Sequence, residues 1–217
     1  ELTVSQSQKV AGIYDLTRDD LMAGQETKRK VKVAKENKKY EKNDLEIRVQ
    51  KKDLKKFKEV LLYILEKVGA KPNVGETVIY KLLYFIDFDY YEKFEENLIG
   101  ATYIKNHHGP TPVEFKTIVD RMEKDGALEK IKSKFFQYEQ KKYLPLKSPE
   151  LSCLSAQEIQ HIDEVLARLS WKTAKELSDY SHTDTPWIVH EEGEKISYES
   201  VFYRDDDHSV RNYEDEL

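Results

Sequence analysis

A chain of 217 residues, 39% hydrophobic and 35% charged, can hold one ordinary domain with an appendage, or two small domains, around a real core. Its 14 Tyr, 8 Phe and 2 Trp should make that core aromatic, while the single cysteine, Cys153, excludes a disulfide framework and a cysteine-based zinc site and fits a reducing cytoplasm. No apolar run approaches the roughly 18 residues of a membrane span, and the net charge of −5 is unevenly spread.

The opening Glu1-Leu2-Thr3 is unlike a signal peptide. Residues 2–24 read as two short helices, Val4–Ile13 and Arg18–Met22, with Thr17 as N-cap and Gly24 as stop. They are similar to the last two helices of a repressor-type, Xre-like helix-turn-helix, without the helix pair that enters a major groove. An unrelated helical arm is the alternative. Residues 25–52 form a basic linker. Between Glu26 and Lys58, 14 Lys/Arg stand against 6 Asp/Glu, an excess of +8 that leaves −13 for the rest. The band is either a solvated linker with a charged helix face, or a surface for weak, non-specific contact with nucleic acid through phosphate neutralisation. Within it, Val31-Lys32-Val33 and Leu45–Val49 alternate like short strands, and the second could pair with a sheet in the body.

From Asp53 the pattern sharpens. Asp53 is placed to cap a helix whose apolar Leu54, Phe57, Leu61, Ile64, Leu65 and Val68 share one face, with Gly69 at its end. A second helix over about Thr77–Phe94 is apolar nearly all round and should run through the middle of the domain. Thr111 and Glu114 have capping-box spacing with Pro112 at the first helical position, which predicts a helix bearing Phe115, Ile118, Val119 and Met122 and stopping near Gly126. Leu128–Leu146 reads as a β-hairpin with Ile131, Phe135, Phe136, Tyr138 and Tyr143 as its buried candidates. Capping boxes at Ser155/Glu158 and Thr173/Glu176 open two more helices. The predicted fold is α+β and mainly helical: a compact helical domain with a small antiparallel hairpin, a short N-terminal helical arm and an acidic tail over 205–217.

The residues that could carry chemistry do not assemble into a catalytic pattern. Asp87 and Asp89 sit in the most apolar helix, where a carboxylate needs a partner, but i, i+2 spacing points them to different faces. Asp87 is expected to bond backbone or a basic group, with Lys81 in a similar structural role, and Asp89 to reach the rim. The six histidines form no His-x-x-x-His pair and no His-Glu-x-x-His, so no metal is implied. Gly-x-Ser-x-Gly, Gly-x-Gly-x-x-Gly and Walker sequences are absent, so neither a hydrolase elbow nor a phosphate cradle is present and no cofactor is implied.

One set of blocks is distinctive: Lys81-Leu82-Leu83-Tyr84-Phe85-Ile86-Asp87, Tyr103-Ile104-Lys105, His108-Gly109-Pro110-Thr111-Pro112 and Ser181-His182-Thr183-Asp184-Thr185-Pro186-Trp187. In this order and spacing they resemble the Panacea, or SocA-like, domain of bacterial antitoxins, over about Leu54–Arg204. The resemblance implies a domain over 53–204 and a cytoplasmic binding protein, not an enzyme, whose partner is a cognate protein toxin. A transcriptional regulator with a partner-sensing Panacea-like half is the alternative, and a hydrolase or metal-dependent enzyme using His108, His182 and Asp87 a third. Because rigid turns that carry aromatic groups make good interface anchors, the expected partner contacts are His108, Pro110, Trp187, Tyr198, Tyr203 and Arg204. His108, Trp187 and Tyr198 are expected to form one partly exposed patch.

Overall fold

The computed structural model describes residues 51–211, with side chains from Leu54 onward. The helical arm over 2–24, the strand-like segments of the linker and the end of the acidic tail lie outside the described residues.

Helix α1 (Lys51–Val68) buries Phe57, Leu61, Ile64, Leu65 and Val68 on one stripe, as their spacing demands. Lys51 and Lys52, both good helix formers, are already helical, so Asp53 lies inside α1 and does not cap it. The outer face is covered too: Tyr63 donates to Asp163 at 2.9 Å, and Lys56 pairs with Glu158 at 2.5 Å.

Helix α2 (Glu76–Phe94) is the centre of the fold. It buries residues on every side, including Leu82, Leu83, Tyr84, Phe85, Ile86 and Phe88. A helix with no polar face can only be stable when its neighbours surround it, and those neighbours come from the rest of the chain.

The first departure from the sequence reading follows α2. Thr111-Pro112 is not the start of a helix but strand β2, paired antiparallel with β1 (Tyr103–Ile104) in the register Tyr103 to Pro112 and Ile104 to Thr111. Thr111 Oγ1 donates to the Gly109 carbonyl, and the Glu114 carboxylate accepts from the Thr102 amide at 3.1 Å. The capping-box spacing is present, yet both of its side chains are committed to closing the 102–114 loop. Helix α3 (Phe115–Lys124) therefore begins three residues later than Pro112, burying Phe115, Ile118, Val119 and Met122. It ends in a Schellman motif, with Gly126 at φ +64°, its amide donating to the Glu123 carbonyl and the Ala127 amide to that of Met122.

Strands β3 (Leu128–Phe135) and β4 (Tyr138–Pro145) form the expected hairpin, in register from Leu128–Pro145 to Phe135–Tyr138, with Phe136-Gln137 as its turn. Of its five candidate core residues only Tyr143 is buried; Phe136 is 84% and Tyr138 68% exposed. Leu128 and Tyr143 at the base of the hairpin enter the core, whereas farther out the contacts with the body are polar, such as Gln140 with the Pro72 carbonyl, so alternation along the distal strands has no core to face.

Both remaining capping boxes form. Ser155 and Glu158 open α4 (Ala156–Leu169), and Thr173 and Glu176 open α5 (Ala174–His182), each with side chain and backbone bonded reciprocally. A 3₁₀ segment over Tyr198–Tyr203 packs on α2, and a short helix α6 (Thr185–Ile188) packs on that segment and on α5. The packed chain continues past Arg204: His208 is buried, its ring stacked on Tyr180 at 4.5 Å. The fold is α+β and mainly helical. Among the described residues no helix is long and apolar enough to cross a membrane.

Candidate functional site

Helix α2 carries four buried ionisable side chains, Lys81, Asp87, Asp89 and Glu92. Each must be compensated, because an unpaired buried charge costs several kcal/mol. Their compensation brings the four sequence blocks together.

Asp87 holds the loop that leads into β1. Its carboxylate accepts from the amides of Ile99 at 2.6 Å, Gly100 at 3.2 Å and Ala101 at 3.3 Å, and from the Tyr103 hydroxyl at 3.2 Å. The Tyr198 hydroxyl lies 3.0 Å from the same carboxylate and 2.7 Å from the Ala101 carbonyl. Burial pushes the Asp87 pKa up to about 6, against the opposing pull of these donors. Backbone is thus the main partner of Asp87.

Lys81 has the matching role earlier on the same helix. Its Nζ donates to the Pro110 carbonyl at 2.9 Å from a fully buried position, and burial lowers its pKa to about 7. The approach works because residue 109 is glycine. At φ +93°, a Cβ on Gly109 would lie 2.5 Å from Ser181 Oγ and 2.7 Å from Lys81 Nζ. Ser178 Oγ donates to the His108 carbonyl at 3.2 Å. The His107-His108-Gly109 turn is therefore fixed from α2 and from α5 at once.

Asp89 is where the expectation of a rim position fails. It is buried and lies between two guanidinium groups, those of Arg168 and Arg204. Arg204 has no exposed side-chain surface, and one guanidinium serves three carboxylates: Asp89 at 2.7 Å, Glu92 at 2.7 Å, and Asp184 through Nε at 2.9 Å and Nη2 at 2.8 Å. Burial opposes the charge of Arg204, but Asp89 and Asp184 outweigh that and hold its pKa above the usual arginine range. Asp184 also accepts from the Tyr84 hydroxyl at 2.8 Å, and Glu92 from the Val210 amide at 3.3 Å. A bidentate arginine with every carboxylate multiply bonded is the geometry in which a buried network holds.

Above these anchors lies an open face. His107 and His108 are exposed, their rings edge to face at 4.9 Å. Trp187 is half-buried, stacked on His182 at 4.4 Å with Lys105 Nζ 3.9 Å above its ring. Ile188 and Val189, next along the chain, are both exposed. His182 Nε2 and Trp187 Nε1 are buried without a hydrogen-bond partner among the described residues.

The six expected partner contacts separate accordingly. His108 and Tyr203 present side chains to solvent, Tyr203 being 78% exposed, and Trp187 is partly exposed. Pro110 is buried, and its carbonyl receives Lys81. Tyr198 stacks on Phe88 at 4.3 Å and sends its hydroxyl inward to Asp87; no ring contact joins it to His108 or Trp187 among the described residues. Arg204 is engaged internally. Asp184 and Lys105 stood within the distinctive sequence blocks without an assigned role, and Glu92 and Arg168 were missed by sequence reasoning. The available signal was four ionisable residues on one apolar helix, which requires buried counter-groups somewhere in the chain.

No group of His, Cys, Asp and Glu among the described residues is arranged to hold a metal ion. A family model described as the SocA-like antitoxin Panacea domain matches residues 79–188, which contain Lys81, Asp87, His108, Pro110, Asp184 and Trp187. No curated protein and no solved structure matches the chain.

Proposed function

The chain belongs to the SocA-like Panacea domain family, whose character is antitoxin-like, and on that premise we propose that it is an antitoxin that neutralises a cognate protein toxin by direct contact. The observation that carries this reading is the rigid presentation of the His107-His108 turn near His182, on which Trp187 stacks. Lys81 holds the Pro110 carbonyl, Ser178 the His108 carbonyl, and Ser181 packs against Gly109. A surface fixed in advance loses little entropy on docking, and an aromatic anchor at its centre can supply a large share of the binding energy. In this reading His108, Trp187 and the exposed Ile188 and Val189 touch the toxin. Pro110, Tyr198 and Arg204 position them, and Tyr203 stands as a separate exposed contact. The chain's role is to bind, with no reaction assigned to it.

The test is genetic and biochemical together. The gene adjacent to this one is expressed alone and with the full chain. The proposal expects the neighbour to arrest growth, co-expression to relieve the arrest, and the two proteins to elute together. A neighbour that is harmless, or whose toxicity persists beside abundant folded chain, contradicts it.

A further inference from the structure

The distal half of the β3–β4 hairpin puts nothing into the core and meets the body through polar contacts, Gln140 with the Pro72 carbonyl and Lys141 with Glu76. Beyond Leu128 and Tyr143 it contributes nothing buried, yet it carries a specific combination of charge and aromatic surface. Five lysines lie on the two strands: Lys130, Lys132, Lys134, Lys141 and Lys142. Lys130 is neutralised by Asp120 and Glu123, and Lys142 donates to the Lys71 carbonyl. The other three are not absorbed in this way, although Lys134 faces Glu139 across the strands. Lys132 and Lys141 stand directly opposite each other across the strands, an arrangement that destabilises a hairpin through like-charge repulsion. Lys134 follows on the same face as Lys132, two residues along. Among the described residues the one ion pair these three make is Lys141 with Glu76 at 3.5 Å, on a lysine side chain 68% exposed.

The tip adds rings. Phe135, Phe136 and Tyr138 surround the turn, and Phe136 holds φ +53°, a left-handed backbone that a bulky residue rarely adopts. The chain thus tolerates strain to keep an aromatic ring in water where glycine or asparagine would sit without cost. Two adjoining hollows open on these residues, one of about 510 Å³ along Lys132, Lys134 and Lys141 and one of about 630 Å³ at Phe135, Phe136 and Tyr138.

We propose that this hairpin is a contact site for single-stranded nucleic acid, with Lys132, Lys134 and Lys141 neutralising phosphates and Phe136 and Tyr138 stacking on bases. Charge complementarity selects the occupant. A polyanion relieves the Lys132–Lys141 repulsion, and lysine, depleted at protein–protein interfaces, is a usual phosphate contact. Exposed aromatic faces beside such lysines match how single strands are held without sequence preference. An acidic polypeptide is the competing occupant. The inference is independent of the antitoxin reading and uses a surface apart from His108 and Trp187.

The experiment is fluorescence anisotropy of a labelled oligouridylate with the full 217-residue chain, across a salt series from low to physiological. The basic stretch over 26–58 is common to every protein compared and drops out of the differences. Replacing Lys132, Lys134 and Lys141 together by Gln should reduce the slope of log K against log salt by about 2, at about 0.7 for each phosphate no longer neutralised. Phe136→Ala should weaken binding by at least about fivefold without changing that slope. All four side chains stand clear of the core, so the melting transitions should match the parent chain. The proposal is overturned if the parent chain does not bind at low salt, if the variants bind as it does, or if poly-glutamate displaces the oligonucleotide at equal charge concentration.

Discussion

Replacing Arg204 by Met probes the buried network most severely. The substitution keeps much of the side-chain bulk and removes one charge from among Asp89, Glu92 and Asp184, all essentially without solvent exposure. Removing one partner of a buried ionic group typically costs about 3–5 kcal/mol. Here three carboxylates lose their shared cation, while Asp89 keeps Arg168. Against a total stability of roughly 5–15 kcal/mol this is a large fraction. For a domain of this size it corresponds to a fall in melting temperature of roughly 6–20 °C. Thermal unfolding followed by circular dichroism at neutral pH measures the effect. A variant that melts within about 1 °C of the parent would refute the network and return Arg204 to the surface role its sequence position suggested.

Other substitutions separate turn, anchor and clamp. Gly109→Ala places a methyl group against Ser181 Oγ and Lys81 Nζ at a positive φ; it should destabilise by about 1–3 kcal/mol and abolish neutralisation, as unfolding and growth rescue would show together. His108→Ala removes an exposed ring and should leave the melting transition unchanged while weakening toxin binding by about 2 kcal/mol, measured by calorimetric titration. Asp87 titrates near pH 6 in the fold, above its ordinary 3.8. The stability this shift confers is present at acid pH and lost as pH rises through about 6. Asp87→Asn should flatten the stability profile between about pH 4 and 6, and an unaltered slope would show that Asp87 is not the group responsible.

Local signals in the sequence were sufficient wherever the structure is locally determined. The helical stripe from Leu54 to Val68, the all-round apolar character of α2 and the boxes at Ser155 and Thr173 each contain their own explanation. The same box spacing at Thr111 and Glu114 misled because it cannot reveal that Tyr103-Ile104 arrives to pair with Thr111-Pro112. The hairpin was legible, but not that its outer half stays outside the core, so its aromatics were assigned to a core they do not reach. The ionic network was the least legible feature. Arg204 lies 115 residues from Asp89 and 20 from Asp184, and no periodicity links them. That distance is also why Asp89 read as a rim residue and Arg204 as a surface contact. The Lys81, His108 and Ser181 blocks were each visible, whereas their convergence at Gly109 depends on tertiary packing.

Amide hydrogen exchange of the full chain, with and without the neighbouring gene's product, tests the central claim most directly. If the turn fixed by Lys81 and Gly109 is the toxin-binding face, complex formation should slow exchange over residues 106–109 and 187–190. Exchange in the exposed half of the β3–β4 hairpin should stay unchanged. Protection confined to the hairpin or to the outer face of α4, with 106–109 exchanging as in the free protein, would contradict it.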